Sequence, residues 1–233
     1  MIKTAIFDID NTLYDYDTAH THGMQVLFEY CKQHFGLDKS EVLSYYHKAW
    51  DLVIHRVGTD TAATHSRMLR FQCMIELLGQ PLFPHTQTMY HLYWDAFFSH
   101  MNPSPGISDL FAHLKQCGIR IGIGTDMTAE AQYRKLNILG LSSYIDMMVT
   151  SEEAGAEKPH PRFFKLCVEK SHCQPDECLF IGDNIKKDVE GAISCGLHGI
   201  WYSQGKTAQE ALSFPVILSF EDIISSFPSF LPR

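Results

Sequence analysis

The chain has 233 residues, of which 45% are hydrophobic and 20% charged, so it is long enough and apolar enough to bury a core. Its formal net charge of −8 argues against a general nucleic-acid binder, which would carry a basic face. No apolar run approaches the roughly 20 residues of a membrane-spanning helix, and the opening residues MIKTAIFDID do not resemble a secretory signal. We therefore expect a cytoplasmic monomer or homodimer with no nucleic-acid or membrane partner.

The cysteines and histidines give no sign of a zinc site. The seven cysteines are scattered and odd in number, and they include no C-x-x-C pair. None of the 13 histidines belongs to an H-E-x-x-H arrangement. This pattern is typical of reduced thiols, each expected to be a small buried apolar residue.

The predicted elements begin with a short buried strand at residues 3–8. Residues 15–100 contain no convincing strand, and their periodicity predicts successive amphipathic helices, such as 22–34, with breaks at 36, 59–61 and 80–84. After 102–106, predicted helices at 107–117, 129–139, 160–171 and 185–195 alternate with predicted strands at 119–125, 145–150, 178–182, 198–202 and 215–219.

Strands that alternate with helices predict a mostly parallel sheet with helices on both faces. The predicted fold class is therefore α/β, with a Rossmann-like parallel sheet as the core. We expect residues 1–14 and 101–233 to form this core domain. Residues 15–100 are expected to form an inserted helical cap domain.

Polar and charged side chains cluster where four of the predicted strands end, which is where open parallel sheets bind ligands. In chain order they are Asp8 and Asp10, Thr125 and Asp126, Lys158, and Asp183, Asn184 and Asp188. One lysine cannot neutralise the carboxylates of Asp8, Asp10, Asp183 and Asp188, and burying these four together would be costly without a cation. Oxygen-only ligands suit Mg²⁺, so we expect Mg²⁺ as the cofactor.

Four motifs, in order and with suitable spacing, resemble those of the haloacid dehalogenase superfamily, in the subgroup whose helical cap follows the first motif. They are DIDNTLYD starting at Asp8, GTD ending at Asp126, EKP starting at Glu157 and FIGDNIKKD ending at Asp188. The resemblance spans nearly the whole chain. The segment FDIDNTLY is especially similar to phosphatase branches that act on nucleoside monophosphates and small phosphorylated metabolites, such as pyrimidine 5′-nucleotidases and phosphoglycolate phosphatases.

The resemblance implies a catalytic role for both aspartates of the first motif. Asp8 would be the nucleophile that forms an aspartyl-phosphate. Asp10 would protonate the leaving oxygen and then accept a proton from the attacking water. The metal would be held by a carboxylate oxygen of Asp8, the main-chain carbonyl of Asp10, and Asp183.

The remaining motifs would hold the substrate's phosphate. The resemblance assigns this task to the hydroxyl of Thr125, the backbone N–H of Asp126 and the ammonium of Lys158. Asn184 and Asp188 would support the site, with Asp188 contacting metal-bound waters or Lys158. The family often has Asn where this chain has Asp126, so the Asp126 carboxylate should point away from the phosphate.

The implied function is Mg²⁺-dependent hydrolysis of a small phosphomonoester, such as a nucleoside monophosphate or a sugar or organic-acid phosphate. A phosphomutase is poorly separated from a hydrolase by sequence. A 2-haloacid dehalogenase would lack the second aspartate, because a halide leaving group needs no proton. A non-enzymatic phospho-receiver would lack the long insert, which is expected to act as a lid that excludes water and reads the substrate.

Several residues of the insert are ambiguous. Five basic ones could meet a leaving group, but we expect them to be exposed helix residues: His20, His22, Arg56, Arg67 and Arg70. The aromatic residues Trp50, Trp94, Phe97 and Phe98 are expected to pack in a core rather than to stack on a base.

Overall fold

The computed structural model describes residues 1–205, 213–221 and 223. The chain divides into two compact units. One, which we call the core unit, consists of Met1–Asp15 and Asn102–Arg233, and the other, the helical unit, of Tyr16–Met101. These boundaries lie one residue from those expected from the sequence. No helix of the described residues is long and apolar enough to cross a membrane.

Six parallel strands form the sheet of the core unit, in the spatial order β3-β2-β1-β4-β5-β6. They are β1 (Thr4–Phe7), β2 (Arg120–Thr125), β3 (Met147–Thr150), β4 (Cys178–Gly182), β5 (His198–Tyr202) and β6 (Val216–Ile217). The predicted α/β fold class is confirmed. The predicted strand at 215–219 is shorter than expected, because only two residues pair with β5.

The α-helices of the described residues follow in chain order. They are α1 (Tyr16–Phe35), α2 (Lys39–Val57), α3 (Arg67–Leu77), α4 (His85–Ser99), α5 (Ile107–Gln116), α6 (Ala129–Ile138), α7 (Ser151–Ala154), α8 (Pro161–Ser171) and α9 (Gly191–Ser194). The helix predicted at 185–195 differs, because Ile185–Glu190 forms a wider π-helical turn before α9. The Asn184 side chain caps this turn by accepting a hydrogen bond from the Lys187 N–H at 3.0 Å.

The register of the sheet brings the ends of its central strands to one level. Phe7 of β1 lies opposite Ile123 of β2 and Ile181 of β4. The pairing continues one residue past β1, where the Asp8 N–H donates to the Ile181 carbonyl at 2.9 Å. Residues that follow these strands therefore project from the same edge of the sheet.

The core beneath this edge packs aromatic rings against glycines of the sheet. Phe180 of β4 is fully buried, in a cluster that includes Ile6 and Phe164. A Cβ at Gly124 of β2 would lie 2.6 Å from the Phe180 ring. The ring fills the space that the missing side chain leaves, so the neighbouring strands pack without a void.

The chain leaves and re-enters the core unit at adjacent points. Tyr14 pairs with Pro103 in an isolated antiparallel bridge. The Ser104 N–H donates to the Leu13 carbonyl at 2.8 Å, and the Ser104 hydroxyl donates to the Thr12 carbonyl at 2.9 Å. The backbone segments before and after the insert are thus hydrogen-bonded to each other.

The helical unit contains the four helices α1–α4, in which α1 packs against α4 and α2 packs against α3. Trp94, Phe97 and Phe98 are buried as expected. The expectation for Trp50 is wrong, since 42% of its surface is exposed. Asp38 begins α2 with a capping box, in which its side chain accepts from the Glu41 N–H and the Glu41 side chain accepts from the Asp38 N–H.

The buried ring of Phe180 provides a test of the core. We expect Phe180→Ala to lower the free energy of unfolding by about 3–5 kcal/mol, because it removes apolar contacts and leaves a cavity beside Gly124. Urea denaturation of both proteins measures the difference. The control is Ile138→Ala at the exposed end of α6, which should change stability by less than about 1 kcal/mol. Equal effects of the two substitutions would contradict this account of the core.

Candidate active site

Three carboxylates meet at the edge of the sheet. Asp8 follows β1, Asp183 follows β4, and Asp188 lies in the π-helical turn. One carboxylate oxygen of each lies within 4.8 Å of the others, and Asp8 and Asp188 are buried. Like charges at this distance repel strongly in a buried setting.

Lys158 provides the positive charge within this group. Its Nζ donates to Asp8 Oδ1 at 2.6 Å, to Asp188 Oδ1 at 2.7 Å and to the Gly124 carbonyl at 3.2 Å. Burial alone would lower the pKa of Lys158, but the carboxylates of Asp188 and Asp8 raise it well above its ordinary value. The lysine is therefore charged at neutral pH, and it offsets one of the three carboxylates.

Burial and the negative charge that remains both raise the pKa values of the aspartates. Burial raises the pKa of Asp8 well above its ordinary value; Lys158 opposes this shift and the charges of Asp188 and Asp183 add to it. Burial, followed by the charge of Asp188, raises the pKa of Asp183 to about 6. A cation at this point would lower the pKa values of both Asp8 and Asp183. Three oxygen donors with an excess of negative charge fit a hard divalent cation and do not fit zinc.

Asp188 owes its position to a glycine. A Cβ at Gly182, the last residue of β4, would lie 2.3 Å from Asp188 Oδ2. The same oxygen accepts a hydrogen bond from the Asn184 N–H at 3.0 Å. Asn184 and Asp188, expected to support the site, thus form a hydrogen-bonded turn that directs Asp188 Oδ1 to Lys158.

Asp10 lies beside this group and has partners of its own. Its Oδ1 accepts a hydrogen bond from the Tyr14 hydroxyl at 2.6 Å and another from Lys135 Nζ at 2.6 Å. The Lys135 side chain is fully buried, whereas 31% of the Asp10 side chain is exposed. Asp10 is therefore held through one oxygen by two donors from inside the core unit.

The end of β2 contributes Thr125 and Asp126. The Thr125 hydroxyl accepts a hydrogen bond from Gln132 Nε2 at 2.6 Å. The Asp126 carboxylate accepts from the Lys158 N–H and from Lys187 Nζ, each at 2.9 Å. Burial opposes the ionisation of Asp126, but Lys158 and Lys187 lower its pKa below the ordinary value. The Asp126 carboxylate thus has two hydrogen-bond donors within the protein.

Sequence reasoning missed Lys135, Gln132 and Lys187, all of which bind residues of the candidate site. A signal for the first two exists in the periodicity of α6. Gln132 and Lys135 are three residues apart and share the buried face of α6 with Ala131 and Leu136. Polar residues on the apolar face of a helix indicate a partner inside the protein.

Comparison with known proteins identifies the family of this chain. The family model described as haloacid dehalogenase-like hydrolase matches residues 5–202. The chain is 32% identical over 204 residues to the ribulose-1,5-bisphosphate 5-phosphatase of Halopiger xanaduensis, with 87% of this chain and 85% of the relative covered. It is 26% identical over 211 residues to the glyceraldehyde 3-phosphate phosphatase of Methanopyrus kandleri, with 88% and 86% covered.

A solved structure matches nearly the full length of the chain. The crystal structure of a HAD phosphatase from Thermococcus onnurineus superimposes with a TM-score of 0.75, and the match covers 99% of this chain and 100% of that one. The sequence identity is 20%, so this likeness supports the fold alone.

The raised pKa of Asp183 predicts a pH-dependent cost to stability when no metal is present. The ordinary value is 3.8 and the folded-state value is about 6, so the native state binds a proton more tightly and loses stability as pH rises through this window. We expect Asp183→Asn to be more stable than the unsubstituted protein at pH 7.5 in EDTA, with the difference fading toward pH 4. Urea denaturation at several pH values measures it.

Adding Mg²⁺ should reverse the order, because the cation stabilises the native protein and the amide is a poorer ligand. The exposed Asp109→Asn serves as the control and should show neither effect. A stability difference for Asp183→Asn that does not vary with pH would contradict the charge cluster.

Proposed function

The chain belongs to the haloacid dehalogenase-like hydrolase family and is a phosphatase, and we propose that it hydrolyses small phosphomonoesters with Mg²⁺ through an aspartyl-phosphate at Asp8. The observation that carries the proposal is the joint contact of Lys158 Nζ with Asp8 and Asp188, inside a group of three carboxylates at the edge of the sheet. This arrangement combines an anionic nucleophile, a buried cation and oxygen ligands for a metal.

Asp8 is the proposed nucleophile. Lys158 binds its Oδ1, and Oδ2 accepts no hydrogen bond from the described residues. We assign the attack on phosphorus to Oδ2, which forms the P–O bond while the bond to the leaving oxygen breaks. The ordered Oδ1–Lys158 contact fixes the orientation of the carboxylate, so that less freedom is lost in reaching the transition state.

Asp8, Asp183 and the main-chain carbonyl of Asp10 are the proposed metal ligands, with Asp188 at the same cluster. Bound Mg²⁺ would neutralise charge on the nucleophile and on the phosphoryl oxygens. Burial, together with the charges of neighbouring aspartates, raises the pKa of Asp8 and of Asp183, and this supports a divalent cation here.

Asp10 is the proposed general acid and base. Tyr14 and Lys135 both bind Oδ1, so Oδ2 is the oxygen that carries the transferred proton. Asp10 gives this proton to the leaving oxygen as the first bond breaks. It then takes a proton from the water that attacks phosphorus, the P–O bond to Asp8 breaks, and phosphate is released.

The non-bridging oxygens of the phosphoryl group are assigned to three donors: the Thr125 hydroxyl, the Asp126 N–H and the Lys158 ammonium. Gln132 Nε2 donates to the Thr125 oxygen, and the Thr125 hydroxyl itself donates to the Asp126 carbonyl at 3.2 Å, a long hydrogen bond that it would exchange for one to a phosphate oxygen. Lys187 holds the Asp126 carboxylate at 2.9 Å, which reduces its repulsion of a phosphate.

The substrate is proposed to be a small sugar phosphate. The relatives named above act, by their names, on ribulose-1,5-bisphosphate and on glyceraldehyde 3-phosphate. A nucleoside monophosphate and phosphoglycolate stay in the test panel, as does transfer to a sugar hydroxyl, which would define a mutase. Asp10 favours phosphate esters over haloacids, because an ester oxygen needs a proton to leave.

The nucleophile assignment predicts complete dependence on Asp8. We expect Asp8→Asn to lower kcat for p-nitrophenyl phosphate by roughly 10³-fold or more, because the amide cannot form the aspartyl-phosphate. Release of phosphate in the presence of Mg²⁺ measures the effect, and EDTA should abolish it in the unsubstituted protein. Full activity of Asp8→Asn would rule out the nucleophile, and turnover that EDTA leaves unchanged would rule out the metal. Asp109→Asn, on the exposed face of α5, is the matched control.

The acid–base assignment predicts a dependence on the leaving group. We expect Asp10→Asn to lower kcat/KM for an alkyl ester such as glyceraldehyde 3-phosphate by about 10²–10⁴-fold. The loss for p-nitrophenyl phosphate should be smaller, because nitrophenolate leaves as a stable anion. Lys135→Met should also lower kcat/KM more for the alkyl ester than for p-nitrophenyl phosphate, but by a smaller factor. Lys165→Met, at an exposed position of α8, should change neither value. Equal losses for both esters would assign Asp10 to a role other than proton transfer.

A further inference from the structure

The helical unit contains a pair of buried arginines. Arg67 and Arg70 of α3 are 7% and 5% exposed, contrary to the expectation that they are exposed helix residues. They are three residues apart on one helix and therefore lie on the same face. Arginine at such depth ordinarily has a carboxylate partner.

The partners of this pair are uncharged. Arg67 Nη2 donates to the Tyr16 hydroxyl at 2.6 Å, and its Nη1 donates to the His65 carbonyl at 3.2 Å. Arg70 Nη1 donates to the Tyr46 hydroxyl at 2.7 Å. Neither guanidinium forms a salt bridge with a carboxylate of the described residues.

Hydrogen-bonding capacity also remains on both side chains. The buried Nε atoms of Arg67 and Arg70 have no acceptor within the part of the chain that the structure describes. The Arg70 guanidinium lies 4.8 Å above the ring centroids of Tyr46 and Trp50, which offsets part of the cost of desolvation. Burying two cations whose N–H donors lack acceptors lowers the stability of the protein. Hydrogen bonds to neutral partners do not fully offset this desolvation cost.

The neighbouring histidine, His20, does not offset the positive charge of the two arginines. His20 Nδ1 lies 2.7 Å from the Tyr93 hydroxyl. Burial, followed by the charges of Arg67 and Arg70, lowers the pKa of His20 to about 4. His20 is therefore neutral at physiological pH, and the electrostatic potential around the arginine pair is positive.

We propose that Arg67 and Arg70 form a binding site for a phosphate-type oxyanion within the helical unit. A planar guanidinium presents paired N–H donors that match two oxygens of one phosphate or carboxylate, and a second guanidinium doubles this capacity. The anion is either a second anionic group of the substrate or a free anion that acts as an effector. The first source rests on the proposed phosphatase function, and the binding itself does not.

The binding is tested by melting the protein in EDTA with increasing inorganic phosphate. EDTA leaves the carboxylate cluster of the core unit without a cation, so that it repels phosphate. The melting temperature of the unsubstituted protein should rise with phosphate. Arg67→Met and Arg70→Met should lose this rise, and without phosphate they should melt no lower than the parent because a buried unpaired charge is gone. Arg56→Met, at a half-exposed arginine of the same unit, should keep the rise.

An undiminished phosphate response in both methionine variants overturns the proposal. If these variants melt below the parent protein, Arg67→Lys and Arg70→Lys provide the test instead. Lysine keeps the positive charge but lacks the paired N–H donors of the guanidinium. A phosphate response weakened by roughly tenfold in apparent affinity then supports the site, and an unaltered response overturns it.

The source of the anion is distinguished by turnover with Mg²⁺. If it is a substrate group, Arg67→Met and Arg70→Met should lower kcat/KM for ribulose-1,5-bisphosphate by roughly tenfold more than for p-nitrophenyl phosphate, and Arg56→Met should not. If it is an effector, inorganic phosphate should alter p-nitrophenyl phosphate turnover non-competitively in the parent and not in the variants. A parent that hydrolyses no ester refutes the proposed function, while the melting experiment still decides the anion site.

Discussion

The ion pairs of Lys158 with Asp8 and Asp188 hold the candidate active site together. A buried ammonium between two carboxylates is tolerated only when each partner is fixed, and the structure fixes all three. Asp8 extends the pairing of β1 with β4, and Lys158 also donates to a carbonyl of β2. Asp188 fits because residue 182 lacks a side chain. The Lys158 ammonium therefore links residues from the ends of three strands and from the π-helical turn.

This charge balance also explains why the site calls for a cation. One ammonium among three carboxylates leaves a net negative group, which adds to the effect of burial in raising the pKa of Asp183. A bound metal ion would offset the negative charge that Lys158 leaves unbalanced. The helical unit has an excess of buried positive charge instead, because Arg67 and Arg70 have neutral partners. Each unit thus has buried charge of one sign that a ligand of the other sign can offset.

Much of the fold and of the candidate site was predictable because parallel strands direct their ends to one edge. Residues as distant in sequence as Asp8 and Asp183 were expected together on that ground, and they are within 4.8 Å. The burial of Lys135 could have been inferred from the apolar face of α6, but its partner could not. Its contact with Asp10 depends on how α6 packs, which local spacing does not specify. The π-helical turn at 185–190 was missed for the same reason, since it follows from the bonds of one asparagine and one aspartate.

The prediction for Arg67 and Arg70 was wrong for a different reason. Residue type was given more weight than position, although both arginines share the buried face of α3 with Phe71 and Met74. At i, i+3, i+4 and i+7 these four residues follow the period of an apolar stripe. A charged residue on such a stripe is better interpreted as buried than as solvated.

The bridge between Tyr14 and Pro103 has a consequence for how this chain can diversify. Because the backbone is already antiparallel and paired there, a short hairpin turn could close it without moving the sheet. The 86 residues from Tyr16 to Met101 therefore form a cassette that recombination can replace as a whole. Such a replacement would leave the carboxylates and the lysine of the sheet unchanged.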